Sequence, residues 1–588
     1  MPARTDSDRH GGMLAAEVLK RHGVPFLFTL CGGHISPILV ACKQLGIRVV
    51  DVRHEATAVF AADAVSRLSG VPGVAAVTAG PGLTNTVTAV KNAQLAQSPL
   101  IVLGGATATV LKGRGSLQDI DQAALMRPHV KWAALVRRVR DIAPALERAF
   151  AEAQSGVPGP VFVELPIDLL YPRTLVAQLY GVQPARPPQG LRNRALHWYL
   201  AWHLERLFAR VPADAPAAGP VSVAEPAAGA LRQAASWLDR SERPLLLIGS
   251  QATLHTAAQA GRIAAVREAV ERLGVPVYLS GMARGLLGRN HPLLLRHRRK
   301  DALKAADLIL LAGVPADFRL NYGRDFAGAA RVVSCNRSAT DLTRNRKPEL
   351  GILGDPGSAL LALAELRGAA GRQRADWLAQ RREQDAERER EIDAQAAPAE
   401  HGVHPLRLLR RLDDAVAEDS VIVGDGGDFV ATASYTVKPR GPLSWLDPGV
   451  FGTLGSGAGF ALGAKLCRPG AEVWILYGDG SVGYSLSEWD SFVRHEVPVI
   501  GLVGNDAGWS QIAREQVELY GDSVGTELRH TDYHRVAEGF GGAGLLLDQD
   551  EDIGPLLRQA KSLAAQGRPV LVNAICQRTA FRKGSISM

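Results

Sequence analysis

The sequence predicts an α/β protein made of three consecutive doubly wound domains, each on a parallel sheet. Three observations carry that prediction. The chain has 588 residues, too many for one hydrophobic core, and enough for roughly three or four domains of ordinary size. From about Met13, short β-rich runs alternate with helical patterns, the rhythm of strand–helix–strand units. Many of its 61 glycines stand where predicted strands hand over to helices, as tight turns require.

The elements follow in order. Phe26–Leu30, Ile47–Val52, Val74–Thr78 and Leu100–Leu103 read as strands. Helical patterns lie between them over Ile35–Leu45, Ala56–Leu68 and Leu83–Gln97, and VFVELP, ending at Pro166, reads as the last strand of a domain over 10–185. Residues 186–225 are rich in Pro and Ala and read as a linker with a helical patch near Trp198. A second domain, 226–370, has predicted strands at Pro244–Ile248, Val277–Leu279, Leu308–Leu311 and Val332–Ser334. The run RREQDAERERE marks 371–400 as a charged helix or solvated linker. A third domain, 401–577, has predicted strands at Ser420–Val423, Glu472–Tyr477, Val499–Val503 and Val570–Ala574. Residues 578–588 read as a basic tail.

Composition excludes several classes. The apolar fraction of 46% and charged fraction of 21% are those of a globular protein. The net charge of +8 comes from scattered basic residues with no nucleic-acid motif, so no nucleic-acid partner is expected. The five cysteines have no paired spacing, which predicts a reducing, cytoplasmic home. The polar start is no signal peptide, and no run nears the ~18 apolar residues of a membrane span, so no membrane partner is expected.

Chemistry concentrates in three places. In the third domain, Gly478-Asp479-Gly480-Ser481 follows a predicted buried strand, and Asn505 ends the next one. Ends of neighbouring parallel strands share one sheet edge, so Asp479 and Asn505 can converge on one ion. A carboxylate, an amide oxygen and a backbone carbonyl are hard donors suited to Mg²⁺ that also holds phosphate oxygens. The glycines let backbone amides approach such phosphates. In the first domain, R-H-E-A places Glu55 just after a strand with small residues behind it. Alone, it reads as a helix-start acid. The third place is FGTLGSGAGFALGAKL, whose glycines resemble a dinucleotide loop but lack the acid that should follow.

Together these segments resemble the thiamine-diphosphate family that includes acetolactate synthase, benzaldehyde lyase and 2-hydroxyacyl-CoA lyase. The likeness runs over nearly the whole chain and implies pyrimidine-binding, central and diphosphate-binding domains in that order. It implies that thiamine diphosphate is the cofactor and that Asp479, Asn505 and the Ala507 carbonyl hold Mg²⁺. The family commonly has Asn-Asn where this chain has Gly504-Asn505; the ligand is the second of the pair. Glu55 would activate the cofactor by sharing a proton with its aminopyrimidine, acting across a homodimer or homotetramer interface. Leu454 would wedge the cofactor into its bent form. The turn at Gly426, Gly427 and Asp428 would lie near the diphosphate, with Asp428 contributing only its backbone because an acid beside a phosphate is unfavourable. Gly80, Pro81 and Gly82 would turn into a helix starting with Thr84 and Asn85.

Two residues narrow the reaction. His34, in CGGHISP, is similar to the Gly-x-His-Ile of benzaldehyde lyase and would relay a proton as a neutral imidazole. Gln118, in SLQDIDQ, would face the reacting carbon, and Trp509 would wall the acceptor pocket. The wording GGHISPILVACKQLGIRVVDVRHEATAVFAADAVSRLSG is nearest the 2-hydroxyacyl-CoA lyase branch. That implies cleavage of a 2-hydroxyacyl-CoA to formyl-CoA and an aldehyde one carbon shorter, with the reverse acyloin condensation. The alternative is an acetolactate synthase or benzaldehyde-lyase-like carboligase on substrates without CoA. Arg284, Arg289, Arg296–Lys300 and Arg582-Lys583 are candidate partners for CoA. Whether the central domain holds ADP, FAD or neither stays open at this level.

Overall fold

The computed structural model describes residues 10–182, 190–210, 219–367 and 374–582. Lys583 and parts of the two predicted linkers lie outside them. The chain forms two compact units: residues up to 222 make the first, and residues from 223 the second, which also takes in 67–70.

The first unit holds one six-stranded sheet. Its strands are β1 (Phe26–Thr29), β2 (Arg48–Asp51), β3 (Gly73–Val77), β4 (Leu100–Ala106), β5 (Trp132–Leu135) and β6 (Pro160–Pro166). They lie in the order β2-β1-β3-β4-β6-β5, every pairing parallel. The second unit holds two more six-stranded parallel sheets. One runs β7 (Pro244–Ile248), β8 (Val277–Leu279), β9 (Leu294–Leu295), β10 (Leu308–Ala312), β11 (Arg331–Asn336) and β12 (Leu350–Leu353). Its order is β12-β11-β10-β7-β8-β9. The other runs β13 (Val421–Gly424), β14 (Trp445–Leu446), β15 (Val473–Gly478), β16 (Ile500–Asn505), β17 (Ala543–Leu547) and β18 (Val570–Ile575).

That last sheet has the order β14-β13-β15-β16-β18-β17, so the first and third sheets share one topology. In both, the first strand sends the chain to one side and the third strand sends it to the other. Helices on opposite faces then leave a crevice at the carboxyl ends of those two strands. The crevice lies between β1 and β3 in one sheet and between β13 and β15 in the other. The strands between the edges are apolar along most of their length: β3, β4, β6, β7, β10, β13, β15 and β16 are buried throughout. Burial on both faces is what helices on both faces impose.

Two expected segments gain detail. The segment expected to be a charged helix or solvated linker is a helix, Arg374–Ala394, but it is anchored rather than free. The Trp377 indole N–H donates to the Pro244 carbonyl at 2.9 Å. Glu389 on the same helix meets His297 Nε2 at 3.0 Å, Arg296 at 3.2 Å and Arg410 at 2.6 Å. Burial pushes the Glu389 carboxyl up, but His297, Arg296 and Arg410 outweigh it and bring it to about 2. The helical patch expected near Trp198 is an 18-residue helix, Leu191–Phe208.

Candidate active site

In the first unit the crevice is organised by the loop that leaves β3. His34, in the turn after β1, sets its Nδ1 3.0 Å from the Thr78 hydroxyl at the start of that loop. Burial lowers the His34 pKa from its ordinary value, so the ring is neutral near pH 7. Further along, Gly80 has φ +64°, and a Cβ there would fall 2.9 Å from the Gln118 carbonyl. Only glycine meets both conditions. Gln118 itself has φ +64°, a conformation that a non-glycine residue keeps only where its surroundings impose it. At the far end of the loop, the Asn85 amide donates to Glu55 Oε2 at 3.0 Å. Glu55 is the first residue of the helix Glu55–Ser69 and is buried. One loop, Thr78–Asn85, therefore touches His34, Gln118 and Glu55.

Sequence reasoning passed over two residues here. Asn85 was placed at a helix start without a role. Gln122 stands behind the loop: its Oε1 accepts the Gly80 N–H at 3.1 Å, while its Nε2 donates to the Gly105 carbonyl at 3.0 Å. Gln122 is the second Gln of SLQDIDQ, and the motif had pointed only to the first.

In the second unit, β15 and β16 pair with Gly478 opposite Gly504. Asp479 and Asn505 therefore stand at adjacent strand ends. Asp479 is buried; its Oδ2 accepts the Gly508 N–H and its Oδ1 accepts the Gly480 N–H, each at 2.9 Å. Burial, followed by repulsion from Asp506, raises the Asp479 carboxyl to about 6. The Asn505 amide donates to Asn573 Oδ1 at 3.1 Å and to the Thr531 carbonyl at 3.3 Å, while its Oδ1 at the strand end accepts the Ala507 N–H at 3.4 Å. Ala507 has φ +54°. Its carbonyl accepts from the Leu528 N–H at 3.0 Å and from Arg578 at 2.8 Å, so a cation there displaces the guanidinium. Ser481 Oγ lies 3.1 Å from both the N and the O of Gly478 and closes that turn. The Trp509 ring covers Gly480.

The donor set fits a hydrated divalent cation that also holds a diphosphate. Among the described residues there is no cluster of three or more His, Cys, Asp or Glu suited to a metal. A cation at Asp479 and Asn505 thus relies on amide, carbonyl and phosphate oxygens, the habit of Mg²⁺. Two carboxyls raised by burial, those of Asp479 and Asp506, are what such a cation would stabilise.

The neighbouring turn, Gly426-Gly427-Asp428, follows β13. A Cβ on Gly426 would lie 2.3 Å from the Leu454 side chain, so Leu454 rests directly on this turn. Asp428 is paired with Arg514 at 2.8 Å, and Arg582 lies 3.9 Å away. Its charge is therefore balanced inside the protein, which removes the difficulty of an acid beside a phosphate. Asp425, just before the turn, had no part in the sequence reading. It is buried, and its two oxygens accept the N–H groups of Gly455 at 2.8 Å and Gly457 at 2.9 Å. Burial raises it to about 7 against the pull of those donors. Asp425 thus ties the Leu454 segment to the end of β13. The signal was available: GDG occurs twice, each time at a strand end.

A cavity of about 1360 Å³ begins at Gly427, Asp479 and Trp509 and continues to the wall formed by Arg284, Arg296–Lys300 and Arg319. Burial pushes Arg284 down to about 10, with Asp447 opposing. Arg296 and Arg299 are lowered by burial too. Arg289 also lines the cavity but is paired with Asp413 at 3.1 Å. At the carboxyl edge of the central sheet the chain bonds to itself. Gln251 donates to Asn336 Oδ1 and accepts from Arg337 N, both at 2.9 Å, and Arg337 pairs with Asp355.

Comparison with known proteins gives a consistent result. Three family models match in chain order: "Thiamine pyrophosphate enzyme, N-terminal TPP binding domain" over residues 9–125, its central domain over 231–363, and its C-terminal TPP binding domain over 425–574. The chain is 54% identical to 2-hydroxyacyl-CoA lyase 2 of Bos taurus, across 99% of this chain and 93% of the relative. It is 53% identical to the Homo sapiens protein of that name, across 99% and 92%. It is 35% identical to a probable acetolactate synthase of Mycobacterium bovis, across 98% and 96%.

The Asp425 clamp can be tested directly. Asparagine can accept only one of the two N–H groups and turns an NH₂ toward the other. Asp425→Asn should cost about 1–3 kcal/mol locally and speed amide hydrogen exchange at Gly455 and Gly457. Unchanged exchange there would remove Asp425 from this role.

Proposed function

This chain belongs to the thiamine-diphosphate-dependent enzyme family, and on that premise we propose that it is a carbon–carbon lyase acting on 2-hydroxyacyl-CoA esters. It cleaves them to formyl-CoA and an aldehyde one carbon shorter, and it runs the reverse acyloin condensation. The observation that carries this reading is the cavity. At about 1360 Å³ it exceeds the roughly 300–1,000 Å³ of ordinary small-molecule sites. Its far wall is a row of basic residues, Arg284, Arg296–Lys300 and Arg319, three of them lowered by burial, although Arg296 shares Glu389, Arg298 shares Glu391 and Arg319 shares Asp317. Room and positive charge at that distance from the chemistry suit the phosphates of a CoA ester and are superfluous for a small 2-oxo acid. The higher identity to the lyases than to the acetolactate synthase supports the same choice.

Thiamine diphosphate, when bound, supplies the carbon nucleophile and the electron sink of the reaction. Asp479, the Asn505 oxygen and the Ala507 carbonyl would hold Mg²⁺, and Arg578 would then give up its bond to Ala507. The backbone of Gly427, Gly478 and Gly480 approaches the phosphates, and Ser481 keeps that turn closed. Leu454 presses on the cofactor from beside Gly426. Glu55 keeps one oxygen on Asn85 and shares a proton with the aminopyrimidine through the other. His34 has Nδ1 occupied by Thr78, so Nε2 exchanges the proton of the substrate hydroxyl. Gln118 orients that hydroxyl without adding charge, and Trp509 walls the acceptor side. Glu55 serves the site of a partner subunit, which makes a homodimer or homotetramer the working form. All five cysteines are free, in keeping with a reducing, cytoplasmic compartment.

The decisive assay is formyl-CoA release from 2-hydroxyacyl-CoA esters of several chain lengths, with thiamine diphosphate and Mg²⁺ present. Absence of release, with turnover of pyruvate instead, overturns the proposal. Replacing Arg298 and Lys300 by Ala should raise KM for the ester about tenfold and leave CoA-free aldehyde carboligation unchanged.

Glu55→Gln should lower kcat on the order of 10²–10⁴-fold with the far-UV circular dichroism intact. Near-normal turnover in that variant would exclude Glu55 as activator.

Because burial disfavours the imidazolium, His34 stays neutral to a lower pH than a free histidine. The acid limb of kcat/KM should therefore fall below pH 6.5, the ordinary histidine value, and should vanish in His34→Gln. A limb that persists in the variant assigns the titration elsewhere.

A further inference from the structure

The helix Leu191–Phe208 takes no part in the site described above, and it has two unlike faces. Leu204 and Leu207 are buried, and His203 Nε2 bonds the Thr109 hydroxyl at 2.7 Å. That hydroxyl in turn donates to Asp168 at 2.5 Å. These contacts hold the last turns of the helix to the body of the unit. The residues from Leu191 to Leu196 are all exposed, so the first turns stand clear of it.

Opposite the docked face, Leu191, Ala195, Trp198 and Trp202 recur at helical spacing and form one stripe. It is open to solvent: Leu191 is 87% exposed, Trp198 69% and Trp202 47%. Arg194 and Arg206 flank it, Arg192 lies beyond, and Arg206 stacks over Trp202 at 5.6 Å. The helix has one acid, Glu205, which is paired with Arg173.

We propose that this helix seats the enzyme on an anionic phospholipid surface. Leu191, Trp198 and Trp202 enter the boundary between headgroups and acyl chains, where indole rings concentrate, and the arginines meet lipid phosphates. Charge decides between occupants. A second copy pairing through the same stripe would set Arg192, Arg194 and Arg206 against their own counterparts, with the lone acid already used. A projecting convex helix also offers no groove for a folded protein, whereas it can sink into an interface. No helix among the described residues is long and apolar enough to cross a membrane, so the contact is interfacial. It departs from the expectation of no membrane partner, which rested on spanning segments alone, and it is independent of the lyase reading.

The test uses the full chain and sedimentation with vesicles of phosphatidylcholine, with or without phosphatidylserine. Wild type should sediment about tenfold more with the anionic vesicles, and less at high salt. Trp198→Ser combined with Trp202→Ser should fall to the neutral-vesicle level with turnover retained. Equal sedimentation with both vesicle types, or an unaffected double variant, overturns the proposal. So does a smaller mass for the double variant by light scattering, which would make the stripe a subunit interface.

Discussion

A parallel strand hands its chain on only at its carboxyl end, and with every pairing parallel all such handovers in a sheet fall on one edge. The crevice of each unit depends on that constraint. In the first sheet it puts the His34 turn beside the loop Thr78–Asn85, because β1 and β3 are neighbours. In the third sheet it puts Asp425 beside Gly478 and Asp479, because β13 pairs with β15, and β16 adds Asn505 on the other side. Identical strand orders make the two crevices equivalent in position. Their contents then diverge: one collects a histidine, an amide and a carboxyl group, the other an oxygen donor set and a glycine turn.

Charge completes what topology begins. The acids near the Gly426–Asp428 turn are not all alike. Asp428 is neutralised by Arg514, whereas burial raises Asp425, Asp479 and Asp506. Asp425 and Asp479 each also accept two backbone N–H groups, and Asp479 and Asp506 flank Asn505 at the strand ends. At the other end of the cavity Arg284, Arg296 and Arg299 are lowered by burial, and Arg296 is held by Glu389.

The interior strands were legible because burial on both faces makes them continuous apolar runs, as in Pro244–Ile248 and Val473–Gly478. Most edge strands were not. Trp132–Leu135 and Leu350–Leu353 are only partly buried, and Leu294–Leu295 and Trp445–Leu446 are two residues long. Ala543–Leu547 has an open middle. Half-covered strands of this kind carry no pattern that separates them from loops. Among site residues the same division holds. Glu55, Asp479 and Asn505 sit in local motifs at strand ends and could be picked out from their neighbours. Asn85, Gln122 and Arg514 act through partners on other elements, and nothing beside them in the chain announces it; for Asp425 only the repeated GDG at a strand end did.

By itself, then, the sequence determined the family, the three parallel sheets and the residues whose chemistry is written in short motifs, because apolar runs and strand-end glycines are local properties. Tertiary structure alone decided that the Asp428 charge is balanced by Arg514, that Asp425 pins the Leu454 segment, and that a row of basic residues lines the cavity beyond the Gly426–Asp428 turn. Those outcomes depend on which groups meet after distant segments are brought together and dried, and burial and pairing of charge exist only once the chain has folded.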